Sequence, residues 1–237
     1  MEETIVRDSD VFEMLDRLLR DEPAFWDGFY GDRSREAPFF ADVPDENLVE
    51  LIRADEGETG RAIDIGCGFG RNALFLARQG WAVDAVDLSP VAVARAEERA
   101  AGAGLNVSFH CGSVMSLKLE AAGYDLVYDS GCLHHIPPHR RPAYLRLVRR
   151  LLKPGGRFGL VCFNTEGGSD LSDWEVYRVR SLRGGLGFSE RRLRQVLAPH
   201  FEVVELRTMN EAPAGAPVFG KAFLWAALLR SRPSAEG

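Results

Sequence analysis

Lysine is nearly absent. It stands only at Lys118, Lys153 and Lys221, and the other fixed cations of the 237-residue chain are arginines. The acids outnumber them, giving a formal charge of −6, so the molecule as a whole offers no positive field to a phosphate backbone. The one local cluster, Arg140, Arg141, Arg146, Arg149 and Arg150, reads as a solvated helix face, and no nucleic-acid partner is expected. Long apolar runs are also missing. The longest, Phe223 to Leu229, falls far short of the ~20 residues that a membrane-spanning helix needs. The chain opens Met1-Glu2-Glu3, acidic where a signal peptide is basic. No membrane partner and a cytoplasmic location are the expectations. Cysteine is sparse: Cys67, Cys111, Cys132 and Cys162 form no C-x-x-C pair and lie in or beside apolar stretches. They are expected to be buried free thiols in a reducing compartment.

What is present is a globular composition, 46% hydrophobic and 27% charged, enough for one sizeable core and short for two. No internal repeat is visible. Val11, Phe12, Met14, Leu15, Leu18 and Leu19 recur at helical spacing, predicting an amphipathic helix over 10–21. The stretch Phe25-Trp26-Asp27-Gly28-Phe29-Tyr30 and then Pro38-Phe39-Phe40 is dense in rings without a regular pattern, as in a segment packed over something. A second helix is expected over 45–53 with Asp45 as its N-cap. From Arg61 the chain alternates. Strands are predicted at 62–65, 82–87, 107–110, 125–129 and 157–163, and helices at 71–79, 90–103 and 138–152. Such alternation gives βαβ units and a parallel sheet with helices on both faces. A polar stretch from Asn164 to Gly187 leads to a short helix over 189–198. Strands at 201–208 and 219–228, with no helix between them, predict an antiparallel hairpin at the sheet edge. The expected fold is a single α/β, doubly wound, Rossmann-like, seven-stranded and mostly parallel sheet with an antiparallel last strand. An N-terminal helical cap would take residues 1–56, the core 57–230 and a disordered tail 231–237.

The sequence Asp64-Ile65-Gly66-Cys67-Gly68-Phe69-Gly70 lies where the first strand becomes a helix. Glycines there let the backbone turn sharply and let a ligand approach closely. A dinucleotide site spaces them G-x-G-x-x-G and sets a pyrophosphate on the helix N-terminus. Here the spacing is G-x-G-x-G, and Asp64 stands two residues before the first glycine. That acid would repel a diphosphate and attract an ammonium, so the ligand implied carries a cation. Asp87 ends the second strand, where a carboxylate can accept both hydroxyls of a ribose. It can equally cap the helix that starts near Ser89-Pro90.

Together the strand-DIGCGFG-helix unit, the VDAVDLS strand, YDLVYDSGCLHHI and LLKPGGRF resemble class I S-adenosylmethionine-dependent methyltransferases from about Arg61 to Phe163. The resemblance implies S-adenosyl-L-methionine as cofactor. Asp64, Gly66, Cys67 and Gly68 would face its methionine moiety, and Asp87 the ribose. Leu88, Ser113 and Val114 would lie along the adenine, and Asp129 and Ser130 at the mouth where sulfonium and acceptor meet. Ser113 departs from the Asp common in relatives, which makes that contact weaker. The aromatic N-terminal stretch has a looser likeness to the cap of small-molecule members. It offers Trp26 and Tyr30 as ring faces for the sulfonium and Phe40 toward a substrate.

His134 and His135 follow the fourth strand, where the acceptor site opens. A histidine titrating near ~6.5 suits a general base, and both compete with purely positioning roles. A zinc site over His134, His135 and His139 is disfavoured, because Pro137-Pro138 interrupts the spacing, and no metal is expected. Cys132 is read as packing. Trp174 and Tyr177, three residues apart, are candidates for the apolar wall of a substrate pocket. No N-P-P-Y-like motif ends the fourth strand, which disfavours methylation of nucleic-acid bases. The expected activity is methyl transfer by in-line displacement to O, N or S of a small-molecule acceptor. Two alternatives stay open: a cyclase, isomerase or sensor that binds the cofactor without transferring methyl, and an NAD(P)-dependent oxidoreductase. Oligomeric state cannot be read.

Overall fold

The computed structural model describes residues 4–32, 34, 37–54 and 57–231. Its centre is a seven-stranded sheet of β1 (Arg61–Ile65), β2 (Ala82–Asp87), β3 (Ser108–Cys111), β4 (Tyr124–Ser130), β5 (Leu152–Phe163), β6 (Phe201–Thr208) and β7 (Leu224–Ser231), in the order β3-β2-β1-β4-β5-β7-β6. The pairs from β3 across to β5 are parallel, while β7 runs antiparallel to both β5 and β6. The hairpin is therefore present, but β7 is inserted beside β5 and the edge strand is β6. Strand order reverses between β1 and β4. At such a point neighbouring crossovers go to opposite faces and leave a crevice at the carboxyl ends of the strands.

Two apolar clusters mark the two faces. Ala62 and Leu126 belong to one with Leu48 and Ile52 of α3 (Glu46–Ala54) and Ala73 and Leu76 of α4 (Arg71–Arg78). Ile63 and Val127 belong to the other with Tyr144, Val148 and Leu151 of α6 (Arg141–Leu151) and Leu193 and Leu197 of α8 (Glu190–Leu197). Neighbouring residues of one strand thus serve opposite faces, as the two-residue period requires. Tyr124 shares its face with Val127 because the β4–β5 register shifts between Tyr124 and Leu126. On the outer flank α5 (Pro90–Gly102) buries Ala92, Val93, Ala96 and Ala100, small residues that let it sit close to the sheet.

The N-terminal segment differs from the sequence reading. α1 spans Asp8–Arg17, ending before the predicted 21, and buries no residue. The aromatic stretch expected to be irregular is a helix, α2 (Glu22–Gly31), with Asp21 accepting from Ala24 N and a proline in its first turn. Asp45 does not serve mainly as a cap. Its carboxylate is fully buried, accepting from the Tyr128 hydroxyl and Asn72 Nδ2 and pairing with Arg71. The polar stretch after β5 contains a further helix, α7 (Asp173–Val179), fixed by a capping box of Ser172 and Glu175. Cys67 and Cys162 are buried, but Cys111 is exposed and Cys132 half-buried, so the expectation of four buried thiols is corrected. Ser231 ends β7, and the rest of the tail expected over 231–237 lies outside the described residues. Among the described residues no helix is long and apolar enough to cross a membrane.

Candidate active site

The glycine loop is held by the strand beside it. Gly66 N and Cys67 N both donate to Val86 O, at 2.8 and 3.0 Å, and Gly70 N donates to Cys67 O. Asp87 completes the tie: Oδ2 accepts from Gly68 N at 2.8 Å and Oδ1 from Ser89 N at 2.9 Å. Capping of α5 falls to Ser89, whose hydroxyl accepts from Ala92 N. Asp87 thus braces the loop and keeps lone pairs for a ligand. Gly68 has φ of +53°, and a Cβ there would meet the Tyr30 hydroxyl at 2.9 Å, so both backbone and space demand glycine. Asp64 is buried and accepts from Ala73 N of α4 at 3.1 Å. Burial pushes its carboxyl up to about 7, against the pull of the Arg71 guanidinium. It would ionise fully only with a cation at hand.

α2 lies over this loop. Asp27 accepts from the Ser89 hydroxyl and from Val91 N at the start of α5. The ring of Tyr30 meets Phe69 edge-on at 5.1 Å, and Phe40 lies 5.0 Å from Phe69. Trp26 donates from Nε1 to Glu22, which is itself paired with Arg20, and Trp26 sits edge-on to His135 at 4.7 Å. Together they enclose a cavity of about 280 Å³ that runs from the glycine loop to the ends of β4 and β5.

The two histidines at the far side are chemically distinct. Nδ1 of His134 accepts from Phe163 N at 3.1 Å, so the ring proton is on Nε2 and that nitrogen is a donor. The His134 ring stacks on Phe163 at 3.7 Å, and burial drives its pKa well below the usual range. In this arrangement His134 presents a donor, not an acceptor, toward the cavity. His135 is different: no described residue bonds to its ring nitrogens. Burial first, and then the positive charge of Arg20, bring its pKa down to about 3. Both rings are neutral at physiological pH.

Trp26, Tyr30, Phe40, Asp64, Gly66, Cys67, Gly68, Asp87, Leu88, Ser113, Val114, Ser130, His134 and His135 all line this one cavity. Three expected residues do not. Asp129 is turned inward, accepting from Cys132 N at 2.7 Å, Leu133 N at 3.0 Å and the Tyr144 hydroxyl at 2.6 Å. It shapes the turn that carries the histidines and is not on the wall. Trp174 is 87% exposed on α7, since its neighbours in the helix, not its own ring, pack inward. The Tyr177 hydroxyl accepts from His139 N and meets His139 Nδ1 at 2.7 Å, while His139 Nε2 faces Asp16 of α1 at 2.8 Å. That chain latches α1 to the core beside the cavity.

Other wall residues were not singled out from the sequence. Arg71, directly after the glycine loop, reaches Val43 O, Asp45 and the Ser130 hydroxyl, and its guanidinium lies 4.5 Å over Phe219. Phe163, Phe219, Phe223 and Leu224 complete the far wall. Their position at the end of β5 and in the approach to β7 was the available signal.

A glycine loop braced by an acid at the end of β2, beside a β4–β5–β7 wall with antiparallel β7, defines the class I S-adenosylmethionine-dependent methyltransferase fold. Residues 62–156 match the family described as a methyltransferase domain. It is 37% identical over 105 residues to a ubiquinone biosynthesis O-methyltransferase of Xanthomonas axonopodis pv. citri, covering 44% of this chain and 43% of that protein. It is 28% identical over 129 residues to the 2-heptyl-1-hydroxyquinolin-4(1H)-one methyltransferase of Mycobacteroides abscessus, covering 54% and 56%. The matches thus span about half the length of the curated relatives. The fold is shared over 97% of this chain and 93% of the other with a Burkholderia thailandensis 1,6-didemethyltoxoflavin-N1-methyltransferase solved with its substrate and S-adenosylhomocysteine, at 23% identity and a TM-score of 0.68.

Proposed function

We propose that this protein transfers a methyl group from S-adenosyl-L-methionine to O, N or S of a small-molecule acceptor. The observation that carries the reading is a single cavity with Asp64, the glycine loop and Asp87 at one end and His135 among aromatic rings at the other. The residues present fit the cofactor. Asp87 has lone pairs left beyond its two backbone bonds for a pair of ribose hydroxyls. Leu88 and Val114 give an apolar slot for adenine with the Ser113 hydroxyl at its edge. Asp64, buried and poised near neutrality, suits an ammonium. Trp26 and Tyr30 offer ring faces to a sulfonium. Bound there, the cofactor supplies a methyl already activated for displacement. The chain's own part is then to orient the acceptor, through a hydrogen bond to His135, and to exclude water.

The same reading treats residues 1–56 as a cap on the core that begins near residue 57, with α2 closing over both ligands. A net charge of −6 and dispersed arginines support a small molecule over a nucleic acid, and the absence of a membrane-crossing helix among the described residues accords with a cytoplasmic enzyme. The names of two relatives above give small molecules, a heptyl-hydroxyquinolinone and 1,6-didemethyltoxoflavin, as what they act on or bind, which supports the acceptor class. The test is calorimetric titration with S-adenosylmethionine and S-adenosylhomocysteine, followed by mass spectrometry of acceptor reactions. Micromolar binding of both and S-adenosylhomocysteine formed in step with a methylated product are expected. A folded protein that binds neither overturns the proposal, and binding without transfer to any acceptor leaves a cofactor sensor in its place.

A further inference from the structure

We infer that the acceptor is an uncharged, flat aromatic compound whose weakly acidic O–H or N–H donates to His135. The inference rests on the methyltransferase reading above. It comes from how charge is distributed along the cavity. Among the described residues four charged side chains line it: Asp64, Asp87, Arg71 and Arg99. All come from the β1, β2 and α5 side or from the boundary between the halves. Both cations are already matched there, Arg71 by Asp45, Val43 O and the Ser130 hydroxyl, and Arg99 by Asp42 and Phe69 O.

The half beyond Ser130 is different. Its described wall is Cys132, His134, His135, Ile136, Phe163 and Phe223 with their neighbours, and none carries a formal charge, since both imidazoles are held neutral by burial. An ion placed against that wall would lose its hydration and touch no charged side chain among the described lining residues. The rings are arranged as slabs and edges: Phe163 lies flat on His134 with 19° between planes, and Trp26 stands at 77° to His135. Such surfaces favour a planar guest. One polar function remains to be satisfied. His134 has its acceptor nitrogen filled by Phe163 N. Both ring nitrogens of His135 lack a described partner, and Nδ1 is buried. Buried polar atoms normally find one, and the imidazole nitrogen that carries no proton accepts it from the acceptor's O–H or N–H.

The experiment titrates three probes of one shape into protein saturated with S-adenosylhomocysteine: 2-naphthol, 2-naphthoate and (2-naphthylmethyl)ammonium. 2-Naphthol is expected to bind at least about tenfold tighter than either ion. An ion that binds as well as the phenol, or binding by none of the three, overturns the inference. The His135→Phe variant, likewise saturated with S-adenosylhomocysteine, should bring 2-naphthol and 2-methoxynaphthalene to affinities within about twofold of each other. An undiminished preference for the hydroxyl removes His135 as its partner. Ile136→Lys, a half-buried wall position, should raise naphthoate affinity at least about tenfold, and no gain contradicts the chargeless wall. Failure of S-adenosylhomocysteine itself to bind strikes the methyltransferase reading instead, and the saturation step reports that separately.

Discussion

The loop after β1 and the wall after β4 and β5 face each other across one cavity but are made of different material. The first is mostly backbone. Gly66, Cys67, Gly68 and Gly70 are fixed by hydrogen bonds to Val86 O, Cys67 O and Asp87, and its chemistry lies in two buried carboxylates. The second is side chains gathered from α2, the turn at 131–136, the end of β5 and the segment 219–224, and it carries no charge among the described residues. A backbone cradle recognises one invariant ligand. A wall of rings can be recut for different acceptors without disturbing the cradle.

If that division is right, substitutions should separate by half. The largest loss is expected for Gly68→Val, whose side chain would meet both a left-handed backbone and the Tyr30 hydroxyl. S-adenosylhomocysteine affinity should fall at least about a hundredfold, with about 2 kcal/mol of stability lost; retained binding would break the cradle account. Asp87→Ala should follow, leaving Gly68 N and Ser89 N without partners and weakening the cofactor at least about tenfold. Asp129→Ala sharpens the contrast. It orphans the Tyr144 hydroxyl and two backbone N–H groups in the core, so chemical denaturation should show a loss of about 3 kcal/mol. Cofactor affinity measured on the folded fraction should change by less than about threefold, because Asp129 is off the wall.

A pH series probes one carboxylate of the cradle, Asp64, beside the buried Asp129 of the turn behind the wall. Burial pushes the carboxyls of Asp64 and Asp129 up to about 7 in the folded chain, well above the ordinary carboxylate range. They hold their protons more tightly when folded, so their contribution to stability is full below about pH 4 and is lost as the pH rises through about 7. The ligand-free melting temperature should therefore decline over that window, and Asp64→Asn should flatten the slope. Binding of an ammonium-bearing ligand favours ionised Asp64, so S-adenosylhomocysteine affinity should rise from pH 6 to 8 in wild type and not in Asp64→Asn. The smallest effect is expected at Trp174. With 87% of it exposed, Trp174→Ala should stay within about 0.5 kcal/mol of wild type and leave acceptor affinity unchanged.

The same division explains what could be read beforehand. The strands, the crossovers and the loop residues Asp64 to Gly70 and Asp87 were legible because periodicity and glycine spacing are local signals. α2 was not, although Phe25, Trp26, Phe29 and Tyr30 fall at i, i+1, i+4 and i+5 and Asp21-Glu22-Pro23 is a helix start. Gly28 and the low helix propensity of aromatic residues hid it, and packing on α5 through Asp27 and Ser89 stabilises it from outside. Trp174 and Tyr177 misled for the converse reason: spacing puts residues near one another but does not say which face meets the core. The difference between His134 and His135 depends on one long-range bond from Phe163 N, which no local pattern encodes.

Hydrogen exchange followed by mass spectrometry, first with S-adenosylhomocysteine and then with 2-naphthol added, tests the two-halved cavity most directly. Slowed exchange at 66–70, 87–89 and α2 is expected with the first ligand, and further slowing confined to 131–136 and 219–224 with the second. Protection of 131–136 by S-adenosylhomocysteine while 66–70 stays unprotected would contradict the account.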